Sequence, residues 1–140
     1  ESSKKKMAEK PSLPFKFTAP DGTVILVGKN NYQNDKLTFK TAYFNDLWFH
    51  TKDIPGSHVI LRCGDDDPGD ASILLAASLA AHFSQAAGSS KIPVDYTRCR
   101  FVKKPSGAKP GFVIFTNQTT LYITPDEEQL APILQKDENA

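Results

Sequence analysis

Apolar and polar positions change period several times along the chain. Phe15 and Phe17, then Val24 to Val27, flank Pro20-Asp21-Gly22. Short apolar runs around a Pro-Asp-Gly turn predict a β-hairpin ending near Gly28. Residues 31–41 place Tyr32, Leu37 and Phe39 among polar residues, which predicts a helix. Leu47 to Lys52 and Ser57 to Arg62 read as two strands. A tight turn at Ile54-Pro55-Gly56 would join them and set Ile54 opposite Ser57. Ile73, Ala77, Ala80, Phe83 and Ala87 recur at helical spacing, widened by Leu75 and Leu79, and predict a helix over about 71–87 with Gly88 as its C-cap. A strand over 94–102 follows, then a Pro/Gly/Lys loop from Lys103 to Gly111. Phe112–Thr116 and Thr120–Thr124 read as a further strand pair, and a weakly helical acidic segment closes the chain. The order is roughly ββ-α-ββ-α-βββ. It predicts an α+β fold with a largely antiparallel or mixed sheet and two main helices.

The 140 residues suit one domain large enough to bury a core without disulfides. Residues 1–12, with lysines at 4 to 6, read as a flexible linker at the start of a piece of a longer protein. Residues 13–125 read as the folded domain and 126–140 as an acidic C-terminal tail. No apolar run is long enough for a membrane helix, no apolar segment follows the first lysines as in a signal peptide, and Cys63 and Cys99 are too few for a disulfide framework.

Net charge is +1, but it is unevenly distributed. Residues 1–62 carry ten Lys/Arg and six Asp/Glu, and residues 91–125 carry six and one. Residues 63–90 carry none and four, and residues 126–140 carry one and five. Such blocks bear on partners where the sum does not.

Three segments carry candidate chemistry. In the first, Gly28 leads into a predicted helix start. Lys29 adds a charge and Asn30, Asn31, Gln33 and Asn34 add donors, which suits phosphate or equally an Asn-capped polar helix. The spaced glycines and Lys-Ser/Thr pair of a Walker loop are missing.

In the second, strand alternation puts Trp48, His50 and Lys52 on one face. An aromatic ring beside two potential cations suits a stacked base and a phosphate. The alternative is a core tryptophan with His50 and Lys52 at the rim. With Ile54 opposite Ser57, His58 falls on the face opposite His50, so the two histidines diverge. No ligand spacing supports a metal site, and no nucleophile–base pair is identifiable.

In the third, Tyr96, Arg98 and Arg100 form an aromatic-plus-arginine strip that Lys103, Lys104 and Lys109 extend into a loop. It suits phosphate contacts or a solvated edge strand. Thr97, Cys99 and Phe101 would face inward. The aspartates at 65–70 lack the ligand spacing of an EF-hand.

Gly28-Lys29-Asn30-Asn31-Tyr32-Gln33-Asn34-Asp35, Asn45-Asp46-Leu47-Trp48-Phe49-His50, Lys52-Asp53-Ile54-Pro55-Gly56-Ser57-His58-Val59 and Lys104 to Gly111 together resemble the signature of the NFACT-R (DUF814) RNA-binding domain. That domain is the C-terminal module of the bacterial fibronectin-binding protein A / RqcH ribosome quality-control family. The resemblance implies a non-catalytic, cofactor-free RNA-binding module. Its implied partners are the ribosomal large subunit, rRNA and tRNA, in a factor that supports alanine tailing of stalled chains. The implied location is cytoplasmic and ribosome-associated. The second implied role is that of a fibronectin-binding adhesin at the cell surface. The charge blocks and the resemblance together would place RNA contacts at Lys29, Asn30, Asn31, Gln33, Asn34, Trp48, His50, Lys52, His58, Arg98, Arg100, Lys103, Lys104 and Lys109.

Overall fold

A computed structural model describes residues 12–140. The linker expected over 1–12 therefore lies almost wholly outside the described residues. Eight strands and three helices follow in order: β1 (Phe15–Thr18), β2 (Val24–Val27), α1 (Asn31–Lys36), β3 (Leu47–Thr51), β4 (Val59–Leu61), α2 (Asp70–His82), β5 (Ile92–Arg98), β6 (Val102–Lys103), β7 (Ile114–Phe115), β8 (Thr119–Ile123) and α3 (Glu127–Leu134). α1 runs directly into a π-turn over Leu37–Thr41. Six strands form one sheet in the order β1-β2-β4-β3-β5-β8, with antiparallel neighbours throughout, and β6 pairs with β7 separately. The expected α+β class and antiparallel sheet are thus observed, with a third helix and with the 94–102 strand divided.

Both faces of the sheet are packed upon, the second only in part over β1 and β2. Alternation sends Phe17, Ile25, Val27, Phe49, Leu61 and Val94 to one side, where α2 packs on them. The buried alanines Ala76, Ala77, Ala80 and Ala81 let that helix come close to the sheet. α3 adds Leu130 to the same core. The other face carries Leu26, Trp48 and Ile60, covered by Leu37 of the π-turn, Cys99 and Val102. Burial pushes the Cys99 thiol up to about 12, as expected of a core residue.

Three expectations are corrected. First, α2 ends at His82 and not near Ala87. Ser84 Oγ donates to the Ala81 carbonyl, and Gln85 N donates to the Pro55 carbonyl, so the chain is drawn away toward the 51–58 loop. Second, residues 112–116 and 120–124 do not pair with each other. β7 joins β6, while β8 lines β5. Third, the β3–β4 connection is not a tight turn. Phe49 pairs with Val59, so the register sets His50 opposite His58. Thr51 Oγ1 donates to the Ile54 carbonyl and Asp53 takes φ 55. Ser57 N reaches the Phe83 carbonyl, so the longer loop docks on the end of α2. The two imidazoles therefore converge, with centroids 5.6 Å apart.

Candidate nucleic-acid interface

The first segment builds a reciprocal cap. Asn30 Oδ1 accepts from Gln33 N at 2.9 Å, and Gln33 Oε1 accepts from Lys29 N at 2.9 Å. Gln33 N, a donor that the helix start would leave open, and Lys29 N just before the cap are thereby satisfied. Gln33 Nε2 also donates to the Ser12 carbonyl at 3.2 Å. Asn34 is buried, and its Oδ1 accepts from His58 N at 3.1 Å while Gly28 N donates to the His58 carbonyl. A Cβ at Gly28 would overlap Asn34 Oδ1, so glycine is required there for space.

His58 is the hub of this arrangement. It is 1% exposed. Its Nε2–H donates to the Gly111 carbonyl at 3.1 Å, leaving Nδ1 to accept from the Thr38 hydroxyl at 2.7 Å. This tautomer follows from Gly111 offering only an acceptor. Burial lowers the imidazole pKa to about 3, helped by the neighbouring His50, so it is neutral. Gly111 N donates to Asp35 Oδ1, which also pairs with Lys104 Nζ at 2.8 Å. Burial works against ionisation of Asp35, but Lys104 and the Gly111 N–H together hold its carboxyl below the usual range. Lys104 Nζ also donates to the Lys109 and Phe112 carbonyls. The Gly28–Asp35 segment, the His50/His58 pair and the 104–111 loop are thus tied at one end of the sheet.

This arrangement sorts the candidate residues. Trp48 is wholly buried and presents no face for a base. Its indole stacks on His50 at 5.9 Å, meets His58 edge-on and packs on Phe115 at 4.7 Å. Among the described residues its Nε1–H finds no acceptor. Asn34 and His58 are likewise interior supports, so the sequence expectation of direct contact is corrected for all three. His50 is half-buried, and burial lowers its pKa, so it does not supply the cation expected of it. Lys52 lies 3.9 Å from the buried Asp95 carboxylate. Gln33 and Lys104 are engaged inside the protein.

The expected Tyr96–Arg98–Arg100 strip does not exist as one face, because β5 stops at Arg98 and a 3-10 turn over Cys99–Phe101 follows. Tyr96 stacks on Phe49 in the α2-side core. Arg98 is consumed by the Asn45 and Gly64 carbonyls and Asp67. Arg100 is exposed and held by Asn45 Oδ1 at 2.9 Å. Lys29, Asn30, Asn31, Lys103 and Lys109 are also exposed. Sequence reasoning missed Tyr43 and Phe44, which are 65% and 68% exposed, with Arg62 over the Tyr43 ring at 4.4 Å and Arg100 over Phe44 at 5.9 Å. The available signal was two adjacent aromatics just past a predicted helix end.

Residues 14–117 match the family described as the NFACT protein RNA binding domain. The chain belongs to that family. It is 51% identical over 122 residues to the Rqc2 homolog RqcH of Bacillus subtilis, covering 86% of this chain and 21% of that protein. The homolog from Streptococcus pneumoniae is 52% identical over 116 residues, covering 82% and 21%. The solved C-terminal part of the fibronectin/fibrinogen-binding protein from Streptococcus suis superposes with a TM-score of 0.83 at 49% identity, covering 89% of this chain and 50% of that one. The chain spans about a fifth (21%) of the RqcH proteins that it matches. In NFACT-R terms, the signature segments meet in space around His58 and build a scaffold more than they build a contact surface.

Proposed function

We propose that this chain is the RNA-contacting module of a ribosome quality-control factor. In this reading residues 13–125 form a non-catalytic domain that engages rRNA and tRNA on a large subunit obstructed by peptidyl-tRNA. The parent protein is then cytoplasmic and ribosome-associated, and it supports alanine tailing. The 126–140 segment is an acidic modulator of the same surface.

One observation carries this reading, the division of charge across the sheet. The elements on the Trp48 face hold Lys36, Lys40, Lys103, Lys104 and Lys109, against Asp35, and Lys29 stands at the adjoining end of the sheet over the Phe15 ring at 4.7 Å. The elements on the other side, 63–90 and 126–135, hold seven Asp/Glu and no Lys/Arg. A surface of one sign, presented on a rigid scaffold, suits a polyphosphate backbone. Lys29, Asn31 and Lys109 at the tied end are the contacts we assign.

Sedimentation of the chain with purified large subunits tests this. Binding should fall steeply between 50 and 200 mM salt, and Lys29→Glu with Lys109→Glu should weaken it roughly tenfold at low salt. Binding indifferent to both salt and charge reversal, or binding to immobilised fibronectin in its place, would overturn the reading.

A further inference from the structure

The sheet over β1 and β2 is only partly roofed on the Trp48 face. Between the α1–π-turn segment and residues 12–14 a groove of about 680 Å³ remains. Val24, Leu26 and Leu37 form an apolar floor, Lys16, Lys36 and Arg62 stand on its walls, and no Asp or Glu lines it among the described residues. The walls are fixed: Gln33 is tied to Ser12, and Asn139 Nδ2 donates to the Pro14 carbonyl at 3.0 Å. Lys36 has no ionic partner among the described residues, whereas Lys16 lies 3.7 Å from Glu138 and Arg62 lies 3.8 Å from the buried Asp46.

At its Arg62 end the groove is continued by the exposed ring of Tyr43, which Arg62 covers at 4.4 Å, and the exposed Phe44 follows Tyr43 in the chain. Their turn is pinned by Asp46, whose carboxylate accepts from Tyr43 N and Gly64 N at 2.8 Å. Cations spaced over an apolar floor and continued by exposed aromatic faces suit unpaired nucleotides, with bases stacked and phosphates neutralised. A paired A-form helix keeps its bases inside and cannot lay one on this floor. A neutral apolar peptide would leave Lys36 without a counter-charge.

We propose that this groove, with Tyr43 and Phe44, is a binding track for single-stranded RNA. It rests on the reading of the chain as an RNA module, and none of Lys29, Asn31 and Lys109 lines the groove.

Fluorescence anisotropy with a labelled oligouridylate and a duplex of equal length tests it at 50 mM salt, with 4-thiouridine cross-linking to locate the RNA. The parent chain should prefer the single strand. K36E should weaken binding about fivefold, and K16E/K36E about twentyfold. The milder K36Q should weaken it in the same direction, with far-UV circular dichroism unchanged in each. Cross-links should fall on Tyr43, Phe44 or the groove walls.

Three results overturn the assignment: equal affinity for the duplex, displacement of the RNA by polyglutamate at equal charge concentration, or parental affinity in K16E/K36E. If in that last case K29E/K109E loses RNA and cross-links map only to 29–31 and 103–111, the RNA module survives and the groove does not. Absence of binding to any RNA or ribosome would remove both.

Discussion

His58 concentrates the energetic logic of the site in one side chain. Its two ring nitrogens and both of its backbone polar groups are paired within the protein, so its protonation would break a bond that Nδ1 accepts. The folded pKa of about 3 lies below the ordinary value of roughly 6.5. The unfolded chain therefore binds the extra proton first. The stabilising contribution is complete above about pH 6.5 and shrinks as pH falls toward 3, with a slope approaching ~1.4 kcal/mol per pH unit. The lowered pKa of His50 acts in the same direction. Urea midpoints from pH 8 to pH 4 should show this loss in the parent chain. His58→Gln should start lower at pH 8, by about 1–3 kcal/mol for the lost hydrogen bonds, and fall less with acid. An equal pH dependence in the two proteins would show that His58 is not the titrating group.

At the scale of elements, the Gly28 turn and α1 are held to the β3–β4 loop through Asn34. Gly28→Ala should force Asn34 Oδ1 off the His58 amide and cost about 2–4 kcal/mol, by overpacking and by loss of a buried partner. Asn34→Ala alone should cost less. The double variant should fall short of the sum by at least ~1 kcal/mol, because the clash and the lost bond share one atom. Additive costs in chemical denaturation would mean the two residues do not meet as described.

The elements themselves were legible in the sequence. Pro20-Asp21-Gly22 marked a hairpin and the alanine-rich run marked α2, because local periodicity and turn chemistry suffice for those. Register and partner choice were not legible. A Pro-Gly dipeptide looks the same in a tight turn and in a loop docked on Phe83, Ser84 and Gln85, and only the second brings His50 to His58. Alternation also could not show that β5 breaks at Arg98, which divides the arginine strip, or that β7 turns to β6. Trp48 was readable as either stacking surface or core, and the packing of Phe115 and His58 against it decides for core.

At the scale of the molecule, the small net charge is a separation of opposite faces by the sheet. The acidic C-terminal segment crosses from one side toward the other, and there it touches the basic side. Glu138 N donates to the Lys16 carbonyl at 2.8 Å, Lys16 N donates to Asp137 Oδ1 at 2.9 Å, and the Thr18 hydroxyl donates to Glu138. These bonds occupy the open edge of β1, which would otherwise offer unpaired backbone groups to another strand. Covering an edge and screening a lysine are separable physically. Glu138→Gln keeps the backbone bond and an acceptor for Thr18 but removes the charge beside Lys16. An exposed ion pair contributes no more than about 1 kcal/mol, so stability should hardly change, while oligouridylate affinity should rise roughly two- to threefold at 50 mM salt and return to parental at high salt. Deletion of residues 136–140 removes the same charge but also Asn139 from the groove wall, so it should raise affinity less, lower Tm by about 3–8 °C for a loss of about 1–2 kcal/mol, and increase self-association by concentration-dependent light scattering. If Glu138→Gln leaves the low-salt affinity at the parental value, the segment protects the β1 edge alone and Lys16 is not screened by it.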